Sequence, residues 1–189
     1  MNSDNLDFYQ LGDLQEWSSL ILPRVRREMP RIKDNGETRV DYVPLGNIFV
    51  IEPERPNAVW KLAGGHKKTL EKCKPGEDPD KTPLDTAVRE LAGETGIILP
   101  RTAFMYVGKW LHWRKDHWKI LFAADMTEAD VPWMHDHHAE NEGEKPKFFT
   151  REEFYAVVRE AKFMREHFEK MLEFALILPG PELETSFAA

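Results

Sequence analysis

The sequence of 189 residues has little of three things that would assign it to a special class of protein: cysteine, long apolar runs and positive charge. Cys73 is the single cysteine, which excludes a fold held by disulfides within the chain. No apolar run approaches the roughly 18 residues of a membrane-spanning helix, and the polar start MNSDNLDFYQ has no signal-peptide pattern. We therefore expect a cytoplasmic protein without a membrane partner.

The charge balance excludes a further class of function. The net charge is −7, whereas general binding to nucleic acid requires a basic surface. A hydrophobic share of 41% and a charged share of 31% are typical of a globular protein with one well-buried domain. The sequence predicts an N-terminal extension over 1–36, one domain over 37–178 and a tail over 179–189.

The segment TPLDTAVRELAGETG at 82–96 has the pattern of an amphipathic helix. Apolar residues recur at helical spacing in Leu84, Ala87, Val88 and Leu91. Thr82 is suited to cap the N-terminus, Pro83 to occupy the first turn and Gly96 to end the helix in a left-handed conformation.

Glu90 and Glu94 lie four residues apart, so that both carboxylates share one face of this helix. Like charges at this spacing repel each other, which indicates a nearby cation, and a hard ion such as Mg²⁺ prefers oxygen ligands. The alternative interpretation is a solvated charged face with an ion pair between Asp85 and Arg89.

A glycine pair precedes the helix. Gly64 and Gly65 let the backbone approach a ligand closely because no Cβ intervenes. The residues 66–81 that follow, which include Glu77, are rich in Lys, Pro, Gly and Asp and predict an exposed loop. The segments before the glycine pair that are rich in β-branched or aromatic residues are predicted strands: 38–43, 47–51 and 58–62.

Two interpretations remain open for the N-terminal region. The spacing of Leu11, Leu14 and Trp17 is compatible with a short helix that ends at Pro23. The basic segment 24–33 either binds the phosphates of a substrate or forms a solvated connecting surface.

Together, WKLAGGH at 60–66, Gly-Glu at 76–77 and AVRELAGETGI at 87–97 resemble the signature of the Nudix hydrolases, G-x5-E-x7-R-E-U-x-E-E-x-G-U with U a bulky apolar residue. The residues in register with it are Arg89, Glu90, Leu91, Glu94, Gly96 and Ile97. The chain departs from the pattern because eleven residues separate Glu77 from Arg89 and because Gly93 replaces a glutamate.

The resemblance implies an α/β fold, a Nudix-type α/β/α sandwich with a mixed twisted sheet and C-terminal helices. It also implies hydrolysis, dependent on Mg²⁺ or Mn²⁺, of the diphosphate in a nucleoside diphosphate linked to another moiety. By the same resemblance Glu90 and Glu94 are the main metal ligands, Glu77 is an auxiliary one, Arg89 fixes the carboxylates, and Gly64 and Gly65 contact substrate. A homodimer is common in such a family.

The resemblance leaves the catalytic base open between Glu142 and Glu144, which precede the predicted strand 147–149. The runner-up function is a Nudix-like module that binds a nucleotide without cleaving it, which Gly93 and the loop insertions favour. The number of bound ions and the substrate are likewise open.

The remaining segments predict a hairpin and two helices. The strands 104–111 and 118–124 flank a polar turn, and Trp110, Trp113 or Trp118 either stacks on a base or packs in the core. The helices are expected over 150–161, where Thr150 and Glu153 form a capping box, and over 164–178, both covering the sheet. Between hairpin and helices lie three closely spaced histidines, which either bind zinc or belong to a polar loop: His135, His137 and His138.

Overall fold

A computed structural model describes residues 16–133 and 144–177. The architecture is a six-stranded mixed sheet with helices on both faces. In chain order the elements are β1 (Trp17–Ile32), β2 (Thr38–Ile51), β3 (Ala63–His66), α1 (Pro83–Thr95), β4 (Phe104–Leu111), β5 (Trp118–Thr127), β6 (Lys145–Phe149), α2 (Arg151–Arg159) and α3 (Arg165–Glu173). Within this described part, no helix is both long and apolar enough to cross a membrane.

The long strand β1 lies at the centre of the sheet, whose order is β4-β5-β1-β2-β6. It runs parallel to β5 along one edge. Along the other edge, its first residues pair with β3 and its later residues pair with β2, both in the antiparallel direction. This arrangement brings β3 beside β1 at the end of the sheet where β5 begins.

Two apolar cores lie on opposite faces of the sheet because side chains alternate along each strand. On β1, Ile21 belongs to the core under α1, whereas Leu20 and Leu22 belong to the core under α2 and α3. On β2, Ile48 and Phe49 divide between the two cores in the same way. The predicted α/β/α sandwich with a mixed sheet is therefore confirmed.

Helix α1 has the predicted ends. The Thr82 hydroxyl accepts a hydrogen bond from the Asp85 N–H, and Gly96 takes the left-handed conformation with φ of 71°. The alternative interpretation, in which Asp85 and Arg89 form an ion pair on a solvated face of the helix, is wrong. The Asp85 carboxylate instead caps the helix and pairs with Arg101, which leaves Arg89 for other partners.

The helix expected before Pro23 is wrong from Trp17 onward, where β1 begins. Trp17 to Leu22 are buried on both faces and pair with two neighbouring strands, and this tertiary contact outweighs a weak local spacing. Residues 1–15 lie outside the described part of the chain. The division of the chain at 36/37 and 178/179 stays a prediction.

The basic segment lies on β1 and the turn after it, and its cations face carboxylates. Arg24 Nε lies 2.6 Å from Asp125, and Arg27 Nε lies 2.7 Å from Glu128. Further along, Arg31 pairs with a carboxylate of β2. These pairs favour the interpretation as a connecting surface over a phosphate site.

Two strand boundaries differ from the predicted ones. The break expected between 43 and 47 is absent, since β2 continues through Pro44. The register shifts there, because Leu45 is an extra residue opposite Val25 and Arg26 of β1. The strand expected over 58–62 is wrong, because Trp60 and Lys61 make isolated bridges and the regular strand β3 begins at Ala63. The strand lies further along the chain than predicted because the backbone of Gly64 and Gly65 pairs with β1.

The hairpin of β4 and β5 is confirmed, as is the capping box of α2 at Thr150 and Glu153. Both C-terminal helices pack on the sheet, as expected. Helix α3 begins at Arg165 and ends at Glu173, earlier than predicted, and Ala175 beyond it has φ of 53°. A left-handed residue there ends the helix even though the apolar pattern continues.

His167 on α3 makes the stability of the fold depend on pH. The side chain is buried, and its Nδ1 accepts a hydrogen bond of 3.2 Å from the Leu62 N–H. Burial, together with the charge of Lys119, lowers the pKa of His167 to about 3. The unfolded chain therefore binds a proton first as the pH falls below about 6.5, and stability present above that pH is lost on acidification.

We expect the free energy of unfolding to fall by up to about 3 kcal/mol between pH 7 and pH 4.5 because of this one group. H167Q removes the titrating group, and its unfolding free energy should change by a smaller amount over the same interval. Urea denaturation at the two pH values measures both changes. Equal losses in the parent and the variant would contradict the assignment to His167.

Candidate functional site

The glycine pair on β3 lies directly against the carboxylates of α1. The Gly64 N–H donates a hydrogen bond of 2.7 Å to Glu94 Oε2, in a backbone conformation with φ of 145°. A Cβ on Gly65 would lie 2.3 Å from Glu90 Oε1, so only glycine leaves room for that carboxylate. The structure thus brings together four of the residues that the sequence singled out.

Glu144, immediately before β6, lies against Glu94 in the same site. Its Oε1 lies 2.6 Å from Lys61 Nζ, whereas its buried Oε2 has no hydrogen-bond partner among residues 16–133 and 144–177. Lys61 also lies 3.1 Å from Glu52. Two carboxyl groups with exposures of 5% and 8%, Glu94 and Glu144, therefore share a largely dehydrated space with one ammonium group.

The electrostatics of this group follow from burial and proximity. Burial, followed by the negative charge of Glu144, raises the pKa of Glu94 well above its usual range. Burial disfavours the charged form of Lys61, but Glu144 and Glu52 outweigh it and raise the pKa of that ammonium. The positive charge of Lys61 and the Gly64 N–H do not offset the cost of ionising Glu94. A bound cation would stabilise its carboxylate.

Arg89 is fixed by Asp80, a residue that the sequence did not identify. Arg89 Nη2 and Nε lie 2.8 and 3.2 Å from the two carboxylate oxygens of Asp80, and Nη1 lies 2.6 Å from Glu90 Oε1. Asp80 is buried and also accepts hydrogen bonds from the Lys68 N–H and the Thr86 hydroxyl. Burial disfavours the charged guanidinium, yet these carboxylates raise the pKa of Arg89 further.

Glu77 lies apart from these contacts of Arg89. Its exposed carboxylate pairs with Lys68 and accepts a hydrogen bond of 2.8 Å from the Lys74 N–H, and the bond from Lys68 lowers its pKa. Spacing could have identified Asp80, since eight residues separate it from Arg89, close to the seven of the signature, whereas eleven separate Glu77. Glu77 as a metal ligand stays a prediction.

Several predicted residues lie outside the described residues. Glu142 is one of them, so that Glu144 alone of the two candidate bases has a position here. The histidine cluster falls in the same gap: His135, His137 and His138.

A cleft of about 760 Å³ opens beside Gly64 and Gly65. Four cationic side chains and three carboxylates line it together with the glycine pair: Arg55, Lys61, Arg114 and Lys119, and Glu16, Glu52 and Asp116. Trp113 is 72% exposed at the cleft, with the Arg114 guanidinium 4.7 Å from its ring centre. The other two tryptophans that were candidates for stacking on a base have structural contacts instead. The Trp110 indole N–H donates a hydrogen bond to Glu166, and Trp118 packs against the core.

The donor set fits a hard divalent ion. Glu90, Glu94 and Glu144 offer carboxylate oxygens, which Mg²⁺ and Mn²⁺ prefer, and one of these oxygens is buried without a hydrogen-bond donor in the described part. A rigid helix and a paired strand hold the three groups. Such a site can bind an ion and present it to an anionic ligand in the cleft.

Comparisons with solved structures give the same fold at low identity. A mutT/nudix family protein from Listeria innocua matches with a TM-score of 0.50 and 15% identity, covering 87% of this chain and 94% of that chain. Shewanella oneidensis NrtR matches with a TM-score of 0.50 and 15% identity over 84% of this chain and 60% of that chain. The NUDIX domain of NrtR in complex with ADP ribose matches with a TM-score of 0.47, 16% identity and 84% of each chain.

No curated protein matches the chain. The family model described as NUDIX domain matches residues 42–171, which is more than half of the chain. The matched range contains the glycine pair, α1 and Glu144, which together form the site described above. With this match and the shared α/β fold, the chain belongs to the NUDIX domain family.

Proposed function

We propose that the protein is a divalent-metal-dependent hydrolase that cleaves the diphosphate of a nucleoside diphosphate linked to another moiety. The observation that carries this proposal is that Glu90 and Glu94 meet the backbone of Gly64 and Gly65, with Glu144 against Glu94. Buried carboxylates beside a backbone that no Cβ obstructs suit an ion bridging protein and phosphate.

Glu90 and Glu94 would hold Mg²⁺ or Mn²⁺, with Glu77 as a further candidate ligand. A bound ion of this kind neutralises diphosphate charge, polarises the attacked phosphorus and lowers the pKa of bound water. Arg89 positions Glu90 through a contact of 2.6 Å and is itself held by Asp80. Glu94 must release its proton when the ion binds, since its pKa in the free protein is raised.

Glu144 is the proposed proton acceptor for the attacking water. When Glu94 is ionised, as ion binding would require, the buried Oε2 of Glu144 has no hydrogen-bond donor among residues 16–133 and 144–177 and can accept a proton. Lys61 holds Oε1 at 2.6 Å and thereby fixes the orientation of the carboxylate. Glu142 stays a second candidate from the sequence.

The cleft supports an anionic substrate with an aromatic part. Arg114 would attract a diphosphate, and exposed Trp113 offers a face for a base. Lys61 and Lys119 also line the cleft, but each already pairs with a carboxylate at 2.6 Å. A cytoplasmic location and a homodimer stay expectations of the sequence and of the family resemblance.

The test is product release from a panel of nucleoside diphosphate derivatives, linked to sugars, nucleotides or phosphate, with Mg²⁺, Mn²⁺ or EDTA. We expect a nucleoside monophosphate and a second phosphorylated product, formed only with the metal. Absence of turnover for the whole panel would overturn the hydrolase.

The second candidate is a nucleotide-binding module, and one contact favours it. The Lys61 ammonium already lies among Glu52, Glu94 and Glu144, where it supplies part of the charge that a metal would bring. Measurable binding of a nucleotide without turnover in the same panel would support the module over the enzyme.

Gly65 provides a direct test of the proposed ligand geometry. In G65A the new Cβ would meet Glu90 Oε1 at 2.3 Å and the carboxyl carbon at 2.6 Å, which forces that carboxylate to move. We expect turnover to fall at least about tenfold, in the range seen when groups supporting a metal site are changed. Initial rates at saturating substrate measure the effect.

The matched control is G76A, at a glycine where a Cβ would meet nothing within 4 Å. Its positive φ of 89° costs some stability, but the carboxylates at Gly65 are untouched. Turnover in G65A equal to that in G76A would contradict the position assigned to Glu90.

A further inference from the structure

A second group of side chains of the types that ligate metals lines the cleft, formed by His112, Asp116 and His117. We propose that these three side chains bind a late first-row transition-metal ion, with Zn²⁺ as the principal candidate. The proposal is independent of hydrolysis, because it concerns different residues and a different class of ion from the carboxylate site.

The hairpin between β4 and β5 builds this group. Leu111 pairs with Trp118, and the His112 N–H then donates a hydrogen bond of 3.0 Å to the His117 carbonyl, which closes the hairpin. Residues opposite each other on paired strands direct their side chains to one face. The imidazole rings of His112 and His117 accordingly stack with centroids 4.4 Å apart.

Asp116 draws the two imidazoles to a common point. Its Oδ1 lies 2.9 Å from His112 Nδ1 and 2.7 Å from His117 Nδ1. Nitrogen and oxygen ligands of a tetrahedral Zn²⁺ lie about 3.3 Å apart, given metal–ligand distances of about 2.0–2.1 Å. The three candidate ligand atoms lie within 4.8 Å of one another, so an ion can replace the protons of these hydrogen bonds after the side chains adjust.

His66 lies beside this group and would supply a fourth ligand after a change in its side-chain conformation. It lies on β3 opposite Ser18 of β1, and β1 runs beside the start of β5, so that strand pairing brings His66 to the same hairpin. Its ring centroid lies 4.8 Å from that of His117. Three imidazoles and one carboxylate form a donor set that Zn²⁺ accepts in four-coordinate sites.

Accessibility and ligand chemistry separate this site from the one on α1. Asp116 is more than half exposed while His117 is nearly buried, so one side of the group opens to the cleft and the other is held by the fold. Imidazole ligands suit Zn²⁺, Cu²⁺ and Ni²⁺, whereas the carboxylates of Glu90 and Glu94 suit Mg²⁺. The two sites should therefore take up different ions.

The experiment uses the full chain without an affinity tag, stripped with a chelator and titrated with ZnCl₂ alone in a calorimeter. We expect about one equivalent to bind, and Co²⁺ in its place should give the strong visible absorption of a four-coordinate site. H112A/H117A should lose this binding, and D116N should weaken it at least about tenfold. Circular dichroism checks that each variant is folded, and D116N serves if the double variant is not.

Two controls distinguish the alternatives. E94Q, at the carboxylate site, should retain zinc binding even where turnover is lost, so failure of the hydrolase and failure of this proposal give different results. H135A/H137A/H138A removes three other imidazoles and should also retain it. Loss of zinc in either control with retention in D116N and H112A/H117A, or no binding by the parent chain, would overturn the proposal.

Discussion

E94Q is expected to lower turnover of the proposed hydrolase at least about 100-fold while the fold remains intact. Changes of groups that merely support a metal ligand cost about 10- to 100-fold, and Glu94 is proposed as a ligand itself. The glutamine oxygen can still accept the Gly64 N–H, as Glu94 Oε2 does at 2.7 Å. Its amide can donate toward Glu144, as a protonated Glu94 would, so that the metal-free fold should be preserved.

Initial rates with Mg²⁺ and thermal unfolding with and without Mg²⁺ measure the two halves of this prediction. E169Q is the matched control, because Glu169 pairs with Arg165 on the surface of α3, away from the site. The parent and E169Q should gain thermal stability from Mg²⁺, and E94Q should gain less. Full turnover in E94Q would remove Glu94 from the proposed machinery.

D80N is expected to destabilise the fold and also to reduce turnover. Asp80 is buried and accepts hydrogen bonds from Arg89, Thr86 and the Lys68 N–H, so removing its charge leaves the guanidinium without its main partner. Because Arg89 is partly exposed, we expect a loss of about 2 kcal/mol, less than the 3–5 kcal/mol of a fully buried pair. Turnover falls because Arg89 positions Glu90.

E77Q tests the carboxylate that the family resemblance implies separately from Asp80, which the structure places on Arg89. Glu77 is exposed and contacts Lys68 and Lys74, so its neutral variant should unfold at nearly the same urea concentration as the parent. If Glu77 is also an auxiliary ligand, turnover falls in E77Q without a loss of stability. Equal destabilisation by E77Q and D80N would contradict the assignment of Asp80 as the partner of Arg89.

Sequence reasoning succeeded where the signal is local. Thr82, Pro83 and Gly96 mark the ends of α1, and the structure has the same ends. The spacing of Glu90 and Glu94 places both on the face that meets the glycine pair. These features follow from contacts within a few residues, which the periodicity and capping preferences of a helix encode directly.

The same reasoning failed where pairing between distant segments decides the outcome. Trp17 to Leu22 form a central strand because β3 and β5 supply backbone partners, which no local pattern indicates. The stretch beyond Glu173 keeps an apolar spacing, but α3 ends there, before the left-handed Ala175. Burial and strand pairing outweigh intrinsic preferences at such positions.

The sequence by itself thus determined a capped helix with two carboxylates, a glycine pair and the family that they resemble. The tertiary structure decided which groups meet them. Glu144 reaches Lys61 across 83 residues because β6 pairs with β2, and Asp80 reaches Arg89 because its loop folds back onto α1. The contact between Glu144 and Lys61 depends on how the sheet is assembled, and sequence spacing carries no information about a distance of that kind.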